Sequence, residues 1–491
     1  MRILMLDLDT LRPDHLGCYG YHRDTSPTLD AIARDGVRFD NYHCSDAPCL
    51  PSRAALLTGR FGIHNGAVGH AGTAGDLCLT GADRGFQDPI LQNGLFYQFR
   101  KAGMHTASVN SFAERHSSYW FNAGFHEVIN CGGCGGEGAE TVTPLAMDWL
   151  QRNAEKDNWF LHVNYWDPHT PYRAPASFGN PFANDPLPAW LTPQVLEEHK
   201  KHVGPHSINE LNMYNDQTNP KLPRQLGRAE NMQQLHAVID GYDCGIRFMD
   251  DCIGQLISYL KQAGLYDDTA IIVTSDHGEN MGELGIYCEH ATADEITTRV
   301  PMIIKWPGAQ AGTVDTALHY NLDLVPTIAQ LLNLPAYEKW DGASYAAALQ
   351  GGESCGRPYL VVSQCAHVCQ RAVRFGDYLY IRTYHDGYHL FDDEMLFDIK
   401  NDFHEQYNLA SKRPDLCGQA CRYLIEWQQQ MMLSGERNVD PLWTVIREGG
   451  PFHAKGQLPA YCQRLQATGR EEGARLLRKK HPQEFFEKSS R

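Results

Sequence analysis

Cys49 stands in the segment of this chain whose residue types are best suited to chemistry. Pro51 favours the first turn of a helix, and the pattern predicts that helix over residues 52–58, with Gly59 ending it. The thiol would lie just ahead of the helix N-terminus, where unpaired amides and the helix dipole favour an anion and lower a thiol pKa. Arg53 adds a permanent positive charge whose planar fork suits tetrahedral oxyanions. The segment therefore predicts a nucleophile beside an anion site, with a buried cysteine before an ordinary helix as the alternative.

The run from Cys49 to Arg60, Cys-Leu-Pro-Ser-Arg-Ala-Ala-Leu-Leu-Thr-Gly-Arg, resembles the signature of the type I sulfatases of the alkaline-phosphatase-like superfamily. In that family the cysteine is oxidised to formylglycine, whose hydrated aldehyde is the nucleophile. The resemblance implies that Cys49 is converted to formylglycine, and that a formylglycine-generating maturation enzyme is a partner of this protein. It also implies a role for His64, which follows at the spacing where sulfatases often hold a histidine near the nucleophile.

Acidic residues follow two predicted buried strands, at residues 2–8 and 270–274. Ligands of a doubly wound sheet collect at the carboxyl ends of its strands. Asp9 and Asp276 stand at two such ends, and both run into glycine-containing loops, which favours a hard divalent cation with oxygen ligands. Asp7 lies two residues before Asp9, on the same side of the strand. It is either a further ligand or a buried, hydrogen-bonded acid.

The sulfatase resemblance implies the set of metal ligands. Asp9 matches the first aspartate of the family's first strand end, and Asp276 and His277 match its second metal pair. With the modified Cys49 they would bind one divalent cation, calcium in the first place, with manganese or magnesium as alternatives. Thr10 stands where most sulfatases have a second aspartate, and this variant resembles the phosphonate monoester hydrolases.

Three further expectations come from the same resemblance. The segment around Asp167-Pro-His169 resembles a strand-end loop of the family, which implies that His169 protonates the leaving oxygen. Sulfatases commonly place a Gly-Lys-x-His element after the strand that ends here at Val109. This chain has no lysine there, so Arg115 or His116 would contact the sulfate instead.

Glu289 occupies the position where the family has a second lysine. A carboxylate aimed at sulfate would repel it, so we expect Glu289 to bind a hydroxyl or amine of the substrate. His290, the next residue, is the expected nearby acid or sulfate contact.

Apolar runs suited to buried parallel strands alternate with amphipathic helical patterns through about residue 375. The alternation predicts an α/β fold, a doubly wound and mostly parallel sheet flanked by helices, in a catalytic domain over residues 1–375. Residues 174–228 interrupt the pattern and are too long for a passive connector. They form either an insertion near the active site or a disordered surface loop.

Short aromatic strands, such as residues 378–383 and 389–391, predict a smaller C-terminal α+β subdomain over residues 376–491. Its antiparallel sheet would be followed by a helical tail. The tail ends in a charged helix over residues 470–480, which is either solvated or joins subunits of a homo-oligomer.

The chain has 491 residues, and its 43 basic and 59 acidic side chains give a net charge of −16. This charge argues against nucleic-acid or anionic-membrane partners, and no run approaches transmembrane length. Fifteen cysteines without a framework pattern and the lack of a signal-peptide pattern predict a cytoplasmic protein with reduced thiols.

The sequence favours a sulfatase that hydrolyses the sulfate ester or sulfamate of a small sulfated molecule, with a sulfated sugar as the first expectation. A phosphonate monoester or phosphodiester hydrolase with the same nucleophile is one alternative. A non-catalytic binding protein on the same fold is another, and it would require Cys49 to be dispensable.

Overall fold

The computed structural model describes residues 1–79, 87–436 and 438–485. The strands within these ranges are β1 (Arg2–Leu8), β2 (Val37–His43), β3 (Asp46–Ala47), β4 (His105–Val109), β5 (Glu127–Ile129), β6 (Trp159–Tyr165), β7 (Thr269–Thr274), β8 (Asn280–Met281), β9 (Tyr287–Glu289), β10 (Met302–Lys305), β11 (Thr313–Tyr320), β12 (Tyr359–Gln364), β13 (Cys369–Phe375), β14 (Tyr378–His385) and β15 (Glu394–Asp398).

The α-helices within the same ranges are α1 (Pro27–Arg34), α2 (Cys49–Thr58), α3 (Gly62–Asn65), α4 (Pro89–Gln92), α5 (Leu95–Lys101), α6 (Phe112–His116), α7 (Ala139–Asn153), α8 (Pro193–His199), α9 (Met232–Gln262), α10 (Glu295–Thr298), α11 (Leu324–Leu331), α12 (Ala346–Leu349), α13 (Pro414–Ser434), α14 (Pro441–Arg447), α15 (Leu458–Ala467) and α16 (Glu471–Lys480).

The larger sheet has the strand order β11-β2-β10-β7-β1-β6-β4-β5, with β10 antiparallel to both of its neighbours and the other pairs parallel. Alternate residues of β1 face opposite sides of the sheet. Leu4 and Leu6 join the core under α1, α7 and α9, whereas Ile3 and Met5 join the core under α2, α5 and α11. Both faces are therefore covered, which confirms the predicted doubly wound α/β fold.

Strands β1 and β7 are parallel neighbours whose carboxyl ends meet at one edge of the sheet. Asp7 pairs in register with Thr274, so Asp9 and Asp276 follow their strands at the same level. Helix α2 begins at Cys49, three residues earlier than the sequence pattern predicts, and ends at Gly59, whose φ of 68° is left-handed. The thiol thus belongs to the first turn of the helix.

The smaller sheet has the order β15-β14-β13-β12-β3 and begins earlier in the chain than residue 376. It includes β12 and β13, and it also takes in β3, which pairs with β12 just before Cys49. The predicted strand at residues 389–391 is absent, because Tyr388 and Leu390 have φ values of 75° and 59°, and left-handed backbone does not pair in a ladder.

Residues 174–228 contain α8 and otherwise irregular chain that packs into the molecule. Ile208 and Leu211 are fully buried, and the amide of Tyr287, at the start of β9, donates to the carbonyl of His206 at 2.8 Å. Burial of this extent argues against the disordered surface loop. The segment instead lies against the strand that ends in Glu289.

The C-terminal tail contacts the same segment. Glu210 is fully buried and accepts from Arg464 at 3.0 Å and from Arg470 at 2.9 Å. Leu477 of the charged helix α16 is also buried, so that helix is packed on one face. No helix of the described residues combines the length and apolar character that crossing a membrane would need.

We expect Glu210→Gln to lower the free energy of unfolding by about 2 kcal/mol, because two charged hydrogen bonds to a buried carboxylate are lost. Denaturant unfolding measures the change. Glu472→Gln is the matched control, since Glu472 pairs with Arg475 on an exposed surface, and its cost should stay below about 0.5 kcal/mol. Equal effects of the two variants would contradict the assigned role of Glu210.

Candidate active site

The Cys49 thiol is buried at the start of α2 and faces two histidines. Its Sγ lies 3.5 Å from Nε2 of His70 and 3.4 Å from Nε2 of His116. Burial raises the pKa of the Cys49 thiol, and the carboxylates of Asp9 and Asp276 raise it further. The sequence-based expectation of a lowered thiol pKa is therefore wrong. It considered the helix end alone, and desolvation together with two negative charges outweighs that effect.

Arg53 is completely buried and holds three aspartates. Its Nε and Nη2 lie 3.1 Å from the two oxygens of Asp7, while Nη1 lies 2.9 Å from Asp9 Oδ2 and 2.5 Å from Asp276 Oδ2. The guanidinium carbon also lies 4.8 Å from the centre of the Phe112 ring. These nitrogens are directed at carboxylates, so Arg53 acts here as a counter-charge to acids instead of presenting an open fork to an oxyanion.

Asp7 takes the hydrogen-bonded arrangement that the sequence leaves open. Both of its oxygens accept from Arg53, and Oδ2 lies 3.3 Å from Nε2 of His162. Asp7 is also not one of the residues whose ligand atoms converge with those of Asp9.

The converging group consists of Asp9, Asp276 and His277, whose ligand atoms all lie within 4.8 Å of one another. Nδ1 of His277 donates to the carbonyl of Gly278 at 2.9 Å, which leaves Nε2 with a free lone pair. Nε2 of His277 and Oδ1 of Asp9 are buried atoms without a hydrogen-bond partner. Buried unpartnered acceptors are rare and costly, so these three residues fit a bound divalent cation.

Asp276 is a carboxylate of this group whose ionised form is unfavourable. Burial raises its pKa, and although Arg53 lowers it, the charges of Asp9 and Asp7 raise it again, to about 8. A divalent cation would favour the ionised carboxylate by the same Coulomb interaction that Arg53 supplies.

The sequence identifies only one of the two histidines beside the thiol. His116, at the end of α6, is one of the two residues that the resemblance offers as a sulfate contact, whereas His70 is not identified and His64 is expected in its place. Nδ1 of His70 in turn lies 2.9 Å from Nε2 of His453, which comes from the C-terminal tail. No spacing rule links residues so far apart in the chain.

His64 instead serves the packing of α3. Its Nδ1 donates to Asp341 at 2.7 Å and its Nε2 donates to the carbonyl of Met431 at 2.8 Å. Burial lowers the pKa of His64, but the hydrogen bond and charge of Asp341 outweigh it and raise the pKa overall. Both nitrogens are occupied, so the expected contact of His64 with the nucleophile is not found.

His169 and Arg115 lie next to one another. Nη2 of Arg115 lies 3.4 Å from Nε2 of His169, whose Nδ1 donates to the carbonyl of Thr170 at 2.5 Å. Burial lowers the pKa of His169 to about 3, with Arg115 contributing. A neutral His169 with its Nε2 unprotonated accepts a hydrogen bond, which argues against the proton-donor role implied by the sequence.

His290 differs from these neutral histidines. Its Nε2 lies 2.9 Å from Glu289 Oε1, and its Nδ1 lies 3.4 Å from Glu279 Oε2. Burial lowers its pKa, but the two carboxylates outweigh it and raise the pKa to about 10. Ligand atoms of His290, Cys49 and His277 all lie within 4.8 Å of one another, so positive charge on His290 stands beside the nucleophile.

Glu289 faces a set of histidines. Besides His290, Nε2 of His206 lies 3.0 Å from its Oε2, and Nε2 of His367 lies 3.6 Å from its Oε1. His206 comes from the segment against β9 and His367 from the loop between β12 and β13. Neither was identified from the sequence, because nothing local distinguishes them from the other 21 histidines of the chain.

Comparisons with known proteins agree with this geometry. The family model described as sulfatase matches residues 3–334. A choline-sulfatase of Rhizobium meliloti is 27% identical over 423 residues, which cover 78% of this chain and 77% of that protein. An N-acetylglucosamine-6-O-sulfatase of Bacteroides thetaiotaomicron is 24% identical over 478 residues, which cover 84% and 82%.

A solved structure of similar fold is the phosphonate monoester hydrolase SpPMH of Silicibacter pomeroyi. Its TM-score is 0.66 at 21% identity, over 89% of this chain and 96% of that one. The similarity confirms the predicted alkaline-phosphatase-like fold.

Calcium added to chelator-treated protein is expected to raise the unfolding temperature, because a ligand that binds only the folded state stabilises it by about 2.7 kcal/mol at one hundred times its Kd. Asp276→Asn should abolish most of this response. The matched control is Asp250→Asn, which removes a buried acid that caps α1 through the amides of Thr28 and Leu29. Thermal unfolding at graded calcium concentrations measures both, and an unchanged response in Asp276→Asn would contradict the assigned ligand set.

Proposed function

The chain belongs to the sulfatase family of sulfuric ester hydrolases, and on that premise we propose that it hydrolyses a sulfate ester or sulfamate of a small sulfated molecule, a sulfated sugar in the first place. The observation that carries the proposal is the environment of Cys49. Its Sγ lies 3.4–3.5 Å from two neutral histidines and within 4.8 Å of a ligand atom of His277, which together with Asp9 and Asp276 fits a divalent cation.

In the proposed reaction, Cys49 is converted to formylglycine and its hydrated aldehyde replaces the thiol. One hydroxyl loses its proton to a base and its oxygen attacks the sulfate sulfur. The bond from sulfur to the substrate oxygen or nitrogen breaks, and that atom takes up a proton from His290, so that the alcohol or amine leaves. The second hydroxyl then loses its proton, the carbon–oxygen bond to the sulfate breaks, and sulfate leaves as the aldehyde re-forms. Addition of water restores the hydrate.

The bases for these proton transfers are His70 and His116. Burial lowers the pKa of both, with neighbouring positive groups contributing, and that of His116 falls to about 3. Both imidazoles are therefore neutral at physiological pH, and their Nε2 atoms lie 3.4–3.5 Å from the position that Sγ occupies. His453 accepts or shares the proton at Nδ1 of His70, which orients the ring.

A cation held by Asp9, Asp276 and His277, calcium or alternatively manganese or magnesium, would supply Lewis acidity that favours a deprotonated hydroxyl and neutralises sulfate oxygens. Arg53 keeps the aspartates in position through its hydrogen bonds. Arg115 donates to a sulfate oxygen, and the positive charge at His290 faces the leaving group.

The proposed substrate class is supported by the relatives. One relative is named as an N-acetylglucosamine-6-O-sulfatase and another as a choline-sulfatase. Proteins similar to this chain are thus named both for a sugar sulfate and for a smaller sulfate ester. A second candidate function, phosphonate monoester or phosphodiester hydrolysis, is favoured by Thr10 and by the structural similarity to a phosphonate monoester hydrolase.

A substrate panel tests the proposal. The protein, co-produced with a maturation enzyme, is assayed with an aryl sulfate, an aryl phosphodiester, a phosphonate monoester and sulfated monosaccharides and disaccharides. We expect sulfate release, and intact mass should show that Cys49 has become an aldehyde. Cys49→Ala should lose at least about a thousandfold in kcat/KM, since the covalent route is gone. A wide preference for the phosphorus esters, or full activity of Cys49→Ala, would overturn the proposal.

His70→Asn is expected to lower kcat by about 100-fold, in the range of a lost general base, with little change in thermal stability. His64→Asn should do the reverse, because its two hydrogen bonds hold Asp341 and Met431 and none reaches Cys49. Steady-state kinetics and thermal unfolding of both variants measure these opposite effects on kcat and on stability. Loss of activity in His64→Asn without loss of stability would contradict this expectation.

A further inference from the structure

Glu289 is surrounded by imidazole nitrogens in a way that the proposed reaction does not use. Nε2 atoms of His290, His206 and His367 lie 2.9, 3.0 and 3.6 Å from its two carboxylate oxygens. All four side chains are buried, and among the described residues the ion-pair partners of Glu289 are these histidines. Three separate segments therefore bring one nitrogen each to a single carboxylate.

The hydrogen bonds on the far side of the rings determine what these nitrogens present. Nδ1 of His206 lies 3.1 Å from the carbonyl of Leu211, which only accepts, so this nitrogen carries the proton. The other ring nitrogen of His206, Nε2, is directed at the Glu289 carboxylate. That Nε2 is buried and has no partner in hydrogen-bond geometry, even though a carboxylate oxygen is 3.0 Å away.

Two polar atoms this close without hydrogen-bond geometry can share a positive charge that lies between them. His290 likewise directs its Nδ1 at Glu279 and its Nε2 at Glu289, and a proton on its ring supplies the positive charge when no metal is bound. Histidines that bind a metal almost always donate their other N–H to a carbonyl or carboxylate in this way. The outer partners of a metal site, Leu211 O and Glu279, are therefore already in place.

The distances also fit a common ion. Nitrogen and oxygen ligands about 2.0–2.1 Å from a tetrahedral zinc ion lie about 3.3 Å from one another. The Nε2 atoms of His290 and His367 lie 2.9 and 3.6 Å from the same oxygen, Oε1 of Glu289, on both sides of that value, whereas His206 lies 3.0 Å from Oε2. Ligand atoms of Glu289, His290 and His367 also lie within 4.8 Å of one another as a group.

We propose that Glu289, His290 and His367 form a second cation site, with His206 beside it, selective for a zinc-class ion and separate from the site of Asp9, Asp276 and His277. Two imidazoles and one carboxylate suit zinc, whereas calcium prefers oxygen ligands.

The role of this ion rests on the proposed function. Glu289 stands where sulfatases have a lysine, so a cation bound to it restores the positive charge that the substitution removes. A ligand atom of His290 is within 4.8 Å of the Cys49 sulfur, so an ion bound here would face the reacting group. It would supply Lewis acidity for the developing negative charge, in place of a proton on His290.

Metal counting on the whole protein tests the site. Chelator-treated protein is equilibrated with zinc and calcium together, free metal is removed, and both metals are quantified by mass spectrometry. We expect one zinc in addition to calcium. Glu289→Gln and His367→Ala should weaken zinc binding by more than about 10-fold while calcium binding is kept, and retained calcium-dependent thermal stabilisation shows that these variants are folded.

Matched variants separate the possible locations of zinc. Asp276→Asn should lose calcium and retain zinc, and His22→Gln, which removes a surface histidine, should retain both. Cys49→Ala controls for the group of Cys49, His70 and His116, which could also bind zinc in unconverted protein. We expect zinc to persist in Cys49→Ala, and cobalt in place of zinc should give the visible absorption of a four-coordinate ion.

Zinc lost from Cys49→Ala or Asp276→Asn but kept in Glu289→Gln would overturn the second site. So would the absence of tight zinc binding in wild type, which would leave a proton on His290 as the positive charge and Glu289 as a contact for a substrate hydroxyl. These outcomes do not depend on the substrate panel. Sulfatase activity without zinc rejects the second site alone, and zinc binding without sulfatase activity rejects the proposed function alone.

Discussion

The structure depends on one buried guanidinium held among three buried carboxylates. Arg53 reaches Asp7, Asp9 and Asp276 at once, and none of the four is exposed to water. Charges in such a place are tolerated only when they are closely paired, and removal of one partner typically costs about 3–5 kcal/mol. The ends of β1 and β7 and the first turn of α2 are therefore fixed relative to one another. Because three carboxylates exceed one guanidinium, the same pairing leaves negative charge that a metal ion can balance.

Histidines around this centre come from parts of the chain that have little to do with the sheet. His206 belongs to the segment against β9, His367 to the smaller sheet and His453 to the tail, and the last two rings stack 4.1 Å apart. The tail also holds the β9-contacting segment through Glu210. The residues at the carboxyl ends of the strands and the histidines around them thus come from different regions of the chain. The surrounding histidines can therefore change while the residues at the strand ends are kept.

The residues at the carboxyl edge of the sheet can be identified from the sequence because the patterns that mark them are local. A buried strand followed by an acid is readable within a few residues, and two such strand ends bring Asp9 and Asp276 together. The sulfatase resemblance, carried by a cysteine followed by a proline and an arginine, adds Cys49 to them. The histidine near the nucleophile is not readable in this way. His64 and His70 are six residues apart, and the left-handed turn at Gly66 between them decides which one faces the thiol. The prediction of a lowered Cys49 pKa fails for a related reason, because the desolvation of the thiol depends on packing by residues from the whole chain.

The pairing of β3 with β12 has a consequence for the order of folding. Ala47 lies two residues before Cys49, yet its ladder partner Gln364 is more than three hundred residues away. Closing so long a loop costs conformational entropy before any contact compensates for it, and pairings of this kind slow folding. The pairing of β3 with β12, beside Cys49, is therefore completed only after most of the chain has left the ribosome. Until β12 arrives, β3 has no partner in this sheet, and under the proposed function the time that a maturation enzyme has to reach Cys49 is set by the rate at which the rest of the chain arrives.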